Sequence, residues 1–211
     1  MRVQEEPDLI QLSFLLFGDR IEKTIVRRIK KMEYLDIVTE DGVPTGVTKE
    51  RNAVHRDGDL HRTSHVWIAR ENQDHKMELL LQKRSMNKDS HPGCYDISSA
   101  GHIPAGMGYL ESALRELKEE LGICAGAAEL IDKGLRRVRW QETFHGHIFR
   151  DNQVSRVYLL WRNVDLSDLC LQAEEVDSVC WMEYERCVRA VRKNEIPNCI
   201  ALEELRMLKQ S

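Results

Sequence analysis

Residues 101–123 read GHIPAGMGYLESALRELKEELGI, a glycine-containing loop followed by a stretch with helical spacing. At about 100° of turn per residue, one helix face collects five apolar residues: Leu110, Ala113, Leu114, Leu117 and Leu121. Glu116, Glu119 and Glu120 then occupy a neighbouring arc of roughly 100°. Three carboxylates this close repel one another unless cations gather there. The stretch therefore predicts a sheet-packed helix that carries a site for Mg²⁺ or Mn²⁺, both of which prefer oxygen ligands.

A simpler interpretation is that the glutamates form an ordinary solvated face, as many charged helix faces do. The surrounding pattern favours a metal site instead. Gly101 precedes the helix at a fixed distance, Arg115 adjoins Glu116, and Gly122 follows Leu121, where a helix commonly ends in a glycine.

Together these residues resemble the Nudix hydrolase box, G-x5-E-x7-R-E-U-x-E-E-x-G-U, where U is apolar. Eight of its nine fixed positions match: Gly101, Arg115, Glu116, Leu117, Glu119, Glu120, Gly122 and Ile123. The ninth position departs, because Met107 stands where the box has its first glutamate. The missing carboxylate predicts a reduced rate or weaker metal binding, and Met107→Glu is expected to raise activity.

The resemblance implies an α/β fold, an α/β/α sandwich around a mixed β-sheet, and hydrolysis of a nucleoside diphosphate linked to another group. It implies Mg²⁺ or Mn²⁺ held by Glu116 and Glu120, with Glu119 as a third ligand or outer-shell acid and Arg115 orienting the carboxylates. The general base varies within the family. Glu174 and Glu175 are candidates, with Glu119 and Glu120 as alternatives.

Two longer stretches, VHRDGDLHRTSHVWI at 54–68 and LLLQKRSMNKDSHPGCYDISSAGH at 79–102, are similar to a particular branch of this family. That branch includes isopentenyl-diphosphate isomerases and hydrolase-like relatives such as plant Nudix hydrolase 3. The resemblance implies that Arg84 and Lys88 bind the diphosphate of the substrate, since two cations on one loop can hold phosphate oxygens. Ordinary surface cations are the alternative.

Isomerases of this branch also hold a metal through histidines and acids, and His55, His61 and His102 fall at comparable positions. The isomerase acids match Asp151 and Gln153, so one carboxylate has become an amide. These histidines are either ligands of a second metal or hydrogen-bonded structural residues. Ala100 replaces the catalytic cysteine of the isomerases, and a methyl group cannot transfer a proton. A hydrolase is therefore favoured over an isomerase.

Composition limits the class of protein. A chain of 211 residues with 42% hydrophobic and 31% charged residues suits one water-soluble domain, and a formal net charge of −4 argues against general nucleic-acid binding. Six scattered cysteines without a paired spacing predict reduced thiols in a cytoplasmic protein. The apolar stretch 9–17 is too short and too polar to cross a membrane.

Helical spacing predicts an N-terminal helical extension over residues 1–33, which could join two copies in a homodimer. Residues 34–211 form the predicted Nudix domain, which begins with the strands YLDIVT, HVWIAR and MELLLQKR. Four further strands are expected in GLRRVRW, TFHGHIF, RVYLLWRN and VCWME. Two C-terminal helices are expected at about 183–194 and 198–209.

Three functions follow from the sequence. The first is a Mg²⁺-dependent pyrophosphohydrolase acting on a small organic diphosphate, most simply a nucleoside di- or triphosphate. The second is an isoprenoid-diphosphate enzyme, supported by Arg84 and Lys88. The third is a weakly active module that binds diphosphates, supported by Met107 and Gln153.

Overall fold

The computed structural model describes residues 33–88, 90–144 and 146–210. The predicted N-terminal helical extension, up to residue 32, and any dimer contact through it lie outside these residues. None of the described helices is long and apolar enough to cross a membrane. The six cysteines, all of which are described, are free thiols.

The described residues form nine strands, four α-helices and two short 3-10 helices, Ala127–Glu129 and Leu166–Asp168. The strands are Tyr34–Val38 (β1), Pro44–Glu50 (β2), His61–Glu71 (β3), Met77–Arg84 (β4), Tyr95–Asp96 (β5), Ser99–His102 (β6), Leu130–Phe144 (β7), His147–Trp161 (β8) and Val176–Glu183 (β9). The helices are Arg51–Asp57 (α1), Tyr109–Leu121 (α2), Tyr184–Lys193 (α3) and Leu202–Leu208 (α4).

A seven-stranded sheet forms the centre of the domain, with β3 in the middle. Strand β3 pairs in parallel with β8 and antiparallel with β4 and β6. Beyond these, β5 and β9 pair with β4, and β7 pairs with β8, all antiparallel. The single parallel pair makes the sheet mixed, as predicted. Strands β1 and β2 form a separate antiparallel hairpin.

Helices cover both faces of this sheet because successive strand residues point to opposite sides. On β3, Val66 and Ile68 pack with α2, whereas Trp67 packs with residues of α3 and α4. The apolar stripe predicted for α2 is the part that packs, and Leu117 and Leu121 are fully buried. The predicted α/β/α sandwich is confirmed.

Helix α2 ends where the sequence predicts. Gly122 adopts the left-handed conformation at φ +74°, and its N–H donates to the carbonyls of Leu117 and Lys118. A side chain there would be strained and would also contact Cys170. This fixed end holds the glutamates of the last two turns in place.

Some element predictions were wrong. TFHGHIF is not a separate strand, because it contains the end of β7 at Phe144 and the start of β8 at His147, so three strands stand where four were expected. Strand β2, Pro44–Glu50, was not predicted. Helix α1 and the short strands β5 and β6 were not predicted. The two C-terminal helices are confirmed at 184–193 and 202–208.

Candidate active site

Helix α2 presents the three glutamates of the motif, Glu116, Glu119 and Glu120, to different environments. Glu120 is buried, with 4% of its surface exposed, and its Oε2 accepts a hydrogen bond of 3.3 Å from the backbone N–H of Ala100 in β6. Glu116 is half-buried, whereas Glu119 is exposed. Glu116 and Glu120 are therefore the carboxylates that face β6.

Burial, together with the negative charges of Glu116 and Glu175, raises the pKa of Glu120 to about 8. Lys88 acts in the opposite direction. Burying a carboxylate without a full cationic partner is unfavourable, and a divalent cation would remove the penalty. The donor set, acidic oxygens on one helix face, fits Mg²⁺ or Mn²⁺.

Gly101 lies directly against Glu116. A Cβ placed on Gly101 would come within 2.3 Å of Cδ and 2.5 Å of Oε1 of Glu116. Only a glycine allows this approach, which explains the glycine of the motif in physical terms. Arg115 donates a hydrogen bond from Nη2 to Oε1 of Glu116 and so restrains the carboxylate on its own helix.

Lys88 and Glu175 form an ion pair beside these glutamates. Glu175 precedes β9 in a loop held by backbone hydrogen bonds, from Ser85 N to Glu175 O at 2.9 Å and from Gln172 N to Glu120 O at 3.0 Å. The loop therefore brings Glu175 to the site, while Glu174 is exposed.

Arg84 differs from Lys88, because its guanidinium is engaged inside the protein. Nη1 donates to Oδ2 of Asp96 at 2.9 Å, and Nη2 donates to the carbonyl of Ser90 at 2.9 Å. These contacts hold both sides of the segment that carries Lys88. In this structure Arg84 shapes that segment, and a phosphate would have to compete with Asp96 for it.

Three histidines predicted as a possible metal site meet in space. His55 lies on α1, His61 begins β3 and His102 ends β6, and one nitrogen from each lies within 4.8 Å of the others. Nε2 of His55 and Nε2 of His102 are 3.1 Å apart. Nε2 of His61 is buried without a hydrogen-bond partner. An orphaned nitrogen at the centre of a histidine cluster fits a metal ligand.

Burial lowers the pKa of His55 to about 3 and that of His61 to about 4, and it lowers the pKa of His102 well below its usual value. All three imidazoles are therefore neutral at pH 7, which is the form that binds metals. The other nitrogen of His61, Nδ1, lies 3.0 Å from the carbonyl of Asp59. This bond turns Nε2 of His61 toward the cluster.

Asp151 on β8 completes the cluster, with Oδ1 3.6 Å from Nε2 of His61. Burial raises the pKa of Asp151 to about 6. The amide of Gln153 donates from Nε2 to Oδ1 of Asp151 at 2.6 Å, and its Oε1 accepts from Thr63 at 3.2 Å. The amide at position 153 thus orients Asp151.

Sequence reasoning missed several residues around the site. The ring of Phe149 stacks on His55 at a centroid distance of 4.1 Å. Asp36 and Arg62 contact the loop before α2. The partner of Glu120 is a backbone N–H, that of Ala100, which no side-chain pattern can reveal. Such contacts depend on strand pairing, so the sequence carried no local signal for them.

Comparison with known proteins agrees with this geometry. The family model described as NUDIX domain matches residues 60–200. Nudix hydrolase 3 of Arabidopsis thaliana is 45% identical over 155 residues, which cover 72% of this chain and 19% of that protein. An uncharacterized Nudix hydrolase of Clostridium acetobutylicum is 36% identical over 157 residues, which cover 74% of this chain and 73% of the relative.

Among solved structures, DR0079 of Deinococcus radiodurans has a similar fold, with a TM-score of 0.62 and 19% sequence identity. The alignment covers 84% of this chain and all of that protein. This likeness supports the sandwich architecture. The chain spans only about a fifth of the Arabidopsis relative, so most of that protein has no counterpart here.

Proposed function

This chain belongs to the Nudix hydrolase family, and we propose that it is a Mg²⁺- or Mn²⁺-dependent pyrophosphohydrolase. Its proposed substrate is a small organic diphosphate, with nucleoside di- or triphosphates as the favoured class. The observation that carries the proposal is the pair formed by buried Glu120 and by Glu116, which is packed against Gly101. A cytoplasmic location and reduced cysteines are part of the same proposal.

Glu116 and Glu120 would hold the cation, with Glu119 at the exposed end of the same helix. When bound, the cation neutralises phosphate oxygens and lowers the pKa of the attacking water. Arg115 keeps the Glu116 carboxylate oriented. Lys88 binds a phosphate oxygen of the substrate through its ammonium group, and this step separates Lys88 from Glu175.

Glu175 is then the proposed general base. Once Lys88 turns to the phosphate, the Glu175 carboxylate can accept the proton of the attacking water. Its backbone is tied to Ser85, so the carboxylate stays near the segment that carries Lys88. Glu174, another candidate for the general base, is exposed and is set aside. Glu119 and Glu120 remain the alternative bases.

The histidine cluster is a proposed second metal site. The orphaned Nε2 of His61 and the neutral state of His55 and His102 support it. A crystal soaked in Mn²⁺ should show anomalous density between His55, His61 and His102. Density only at Glu116 and Glu120 would reduce the histidines to structural residues.

The first experiment is a substrate panel with Mg²⁺ and Mn²⁺, read by release of phosphate, of pyrophosphate and of monophosphates. The panel includes nucleoside di- and triphosphates, sugar-linked nucleoside diphosphates and isopentenyl diphosphate. Metal-dependent hydrolysis of the nucleotides is expected. Isomerised isopentenyl diphosphate would favour the isoprenoid enzyme, and tight binding without turnover would favour a binding module.

Glu120→Gln tests the metal assignment within that panel. The amide cannot supply the charge of the carboxylate, so turnover should fall by about 10³-fold or more. Because the pKa of Glu120 is about 8, the metal-free carboxyl is largely protonated at pH 7, so the neutral amide should leave the melting temperature of the metal-free protein close to that of the wild type. Glu111→Gln, an exposed change in the first turn of α2, is the matched control and should leave turnover unchanged. Equal turnover in Glu120→Gln and wild type would contradict the proposal.

A further inference from the structure

The loop of residues 103–108 connects β6, which carries Gly101 and His102, to α2, which carries the glutamates. The position of α2 relative to β6 therefore depends on how firmly this loop is held. Near its C-terminal end lies Met107, where the Nudix box has a glutamate. In this structure the loop is held by groups outside it, among them the side chains of Asp36 and Arg62.

Strand β1 runs beside the loop. Leu35 forms an isolated antiparallel bridge with Pro104, and the N–H of Ala105 donates to the carbonyl of Tyr34 at 2.8 Å. The Asp36 carboxylate accepts a hydrogen bond of 2.9 Å from the N–H of Gly106. Backbone and carboxylate of β1 thus fix three successive loop residues.

Arg62 on β3 contacts the loop from the other side. Its Nη2 donates to the carbonyl of Met107 and to Oδ2 of Asp36, both at 3.0 Å. Its guanidinium carbon lies 5.4 Å from the ring centroid of Tyr109, the first residue of α2. The Arg62 side chain therefore contacts Met107 in the loop, the first residue of α2, and the Asp36 carboxylate that holds Gly106.

The ion pair between Arg62 and Asp36 is largely buried, with 8% and 13% of the side chains exposed. A buried pair costs desolvation of both partners and contributes little net stability, but removal of one partner leaves an unpaired buried charge. Nε of Arg62 also lacks a hydrogen-bond partner. The contacts that these two side chains make with the loop, at Gly106 and at Met107, are therefore their more important interactions.

We propose that Asp36 and Arg62 are positioning residues of the metal site, which hold the loop before α2 in place of the carboxylate absent at residue 107. They act through the loop backbone and touch neither cation nor substrate. This inference rests on the proposed metal function of Glu116 and Glu120. It adds the hairpin β1–β2 to the parts of the protein that determine metal affinity.

The test measures Mn²⁺ binding directly, by the electron paramagnetic resonance signal of free Mn²⁺, together with the melting temperature. Asp36→Asn removes the charge while keeping the shape, and Arg62→Lys keeps the charge while losing one of the two contacts. Each variant should raise the dissociation constant for Mn²⁺ by about tenfold or more, the usual range for residues that orient metal ligands.

Glu204→Gln is the matched control, since it disrupts another buried ion pair, with His65, where α4 packs on the sheet. It should lower the melting temperature and leave the Mn²⁺ dissociation constant within about twofold of the wild type. Unchanged Mn²⁺ affinity in Asp36→Asn and Arg62→Lys would overturn the inference. An equal loss of affinity in Glu204→Gln would also overturn it, because general destabilisation would then explain the effect.

The wild type separates this inference from the proposed function. If wild-type protein binds Mn²⁺ through Glu120, shown by the loss of one Mn²⁺ site in Glu120→Gln while any Mn²⁺ bound by the histidine cluster remains, the metal function stands whatever the positioning variants do. If the wild type binds no Mn²⁺, both proposals fail together. Intact wild-type binding with unaffected Asp36→Asn and Arg62→Lys defeats only the positioning role.

Discussion

At residue 107 a methionine carbonyl, and no carboxylate, interacts with the surrounding protein. The Arg62 guanidinium donates a hydrogen bond of 3.0 Å to that carbonyl, and the Asp36 carboxylate accepts a hydrogen bond from the N–H of Gly106. Backbone hydrogen bonds to charged side chains are among the stronger ones in proteins. The loop therefore has its supports without a side chain from residue 107, although the box motif leads one to expect a defect there.

Met107→Glu distinguishes a loop that Asp36 and Arg62 already hold from a loop that lacks a needed carboxylate at residue 107. If Asp36 and Arg62 already hold the loop, a glutamate at 107 should change the turnover number and the Mg²⁺ requirement by less than about threefold, a free-energy change below roughly 1 kcal/mol. If the missing carboxylate limits the enzyme, as the motif alone indicates, the gain should exceed about tenfold. Initial rates over a Mg²⁺ titration provide the measurement.

A large gain would count against the positioning role of Asp36 and Arg62 only if it acts at the metal site. The double variant Met107→Glu/Glu120→Gln supplies that check. Any gain that survives the loss of Glu120 arises elsewhere, for example from altered solubility.

At the scale of elements, the close approach of β6 to α2 creates the site. Gly101 in β6 leaves room for Glu116, and the N–H of Ala100 in the same strand contacts Glu120. The strand thus contacts two glutamates one helical turn apart. Any change in the strand-to-helix distance should alter both carboxylates together.

Gly101→Ala should therefore damage the site more than its size suggests. The added methyl group would lie 2.3 Å from Cδ of Glu116, so the carboxylate must move away from its present position. We expect turnover to fall by about tenfold or more and Mn²⁺ binding to weaken in parallel, as a displacement of about 1 Å at a site can cost 10²-fold.

Gly108→Ala is the matched control for this substitution, because a Cβ at Gly108 meets no atom within 4 Å. Its backbone, at φ −89°, is open to any residue. Similar losses in Gly101→Ala and Gly108→Ala would show that loop stiffness, and not the Glu116 contact, determines the effect.

Sequence pattern predicted elements well where periodicity was strong. The leucines of α2 and the apolar run of β4 have a clear burial pattern, and both elements formed as expected. The sequence pattern divided the hairpin β7–β8 into too many strands. Strand β7 lies at the edge of the sheet and exposes apolar residues such as Leu135, so its apolar and polar residues alternate little. Helix α1 is only seven residues long and depends on its caps, Glu50 and Gly58.

For the molecule as a whole, the motif identifies the glutamates that we propose as metal ligands, but not the residues that surround them. Asp36 and Gly106 are 70 residues apart in sequence and meet only because β1 runs beside the loop. The engagement of Arg84 with Asp96 likewise depends on the pairing of β4 with β5. Long-range pairing of this kind leaves no periodic signal in one sequence.

The C-terminal helix α4 is joined to the sheet by a buried charged cluster. Glu204 lies 3.0 Å from Nδ1 of His65 and accepts hydrogen bonds from Trp67 at 2.8 Å and Arg136 at 3.2 Å. Burial lowers the pKa of His65, but the charge of Glu204 and its hydrogen bond outweigh this effect, so the pKa lies above its usual 6.5. Burial raises the pKa of Glu204, but His65 reverses this and the pKa falls below 4.5.

These shifts determine how stability depends on pH. A raised pKa in His65 contributes stability that is complete below about pH 6.5 and is lost as pH rises through the folded value. A lowered pKa in Glu204 contributes stability above about pH 4.5 that is lost as pH falls through the folded value. The pair therefore stabilises the fold most between about pH 4.5 and 6.5.

His65→Gln should consequently lower the melting temperature more at pH 5.5 than at pH 9. The wild-type imidazole loses its charge as pH rises through the raised pKa of His65, so a neutral glutamine removes less at the higher pH. Arg162→Gln is the control, because it removes the ion pair with Glu129, whose pKa is lowered by hydrogen bonds from the N–H of Gly126 and from Arg162. Neither partner titrates between pH 5.5 and 9, so its loss should cost the same at both pH values. A cost of His65→Gln that does not change between pH 5.5 and 9 would mean that His65 is uncharged in the folded protein, and that α4 is held by packing and neutral hydrogen bonds.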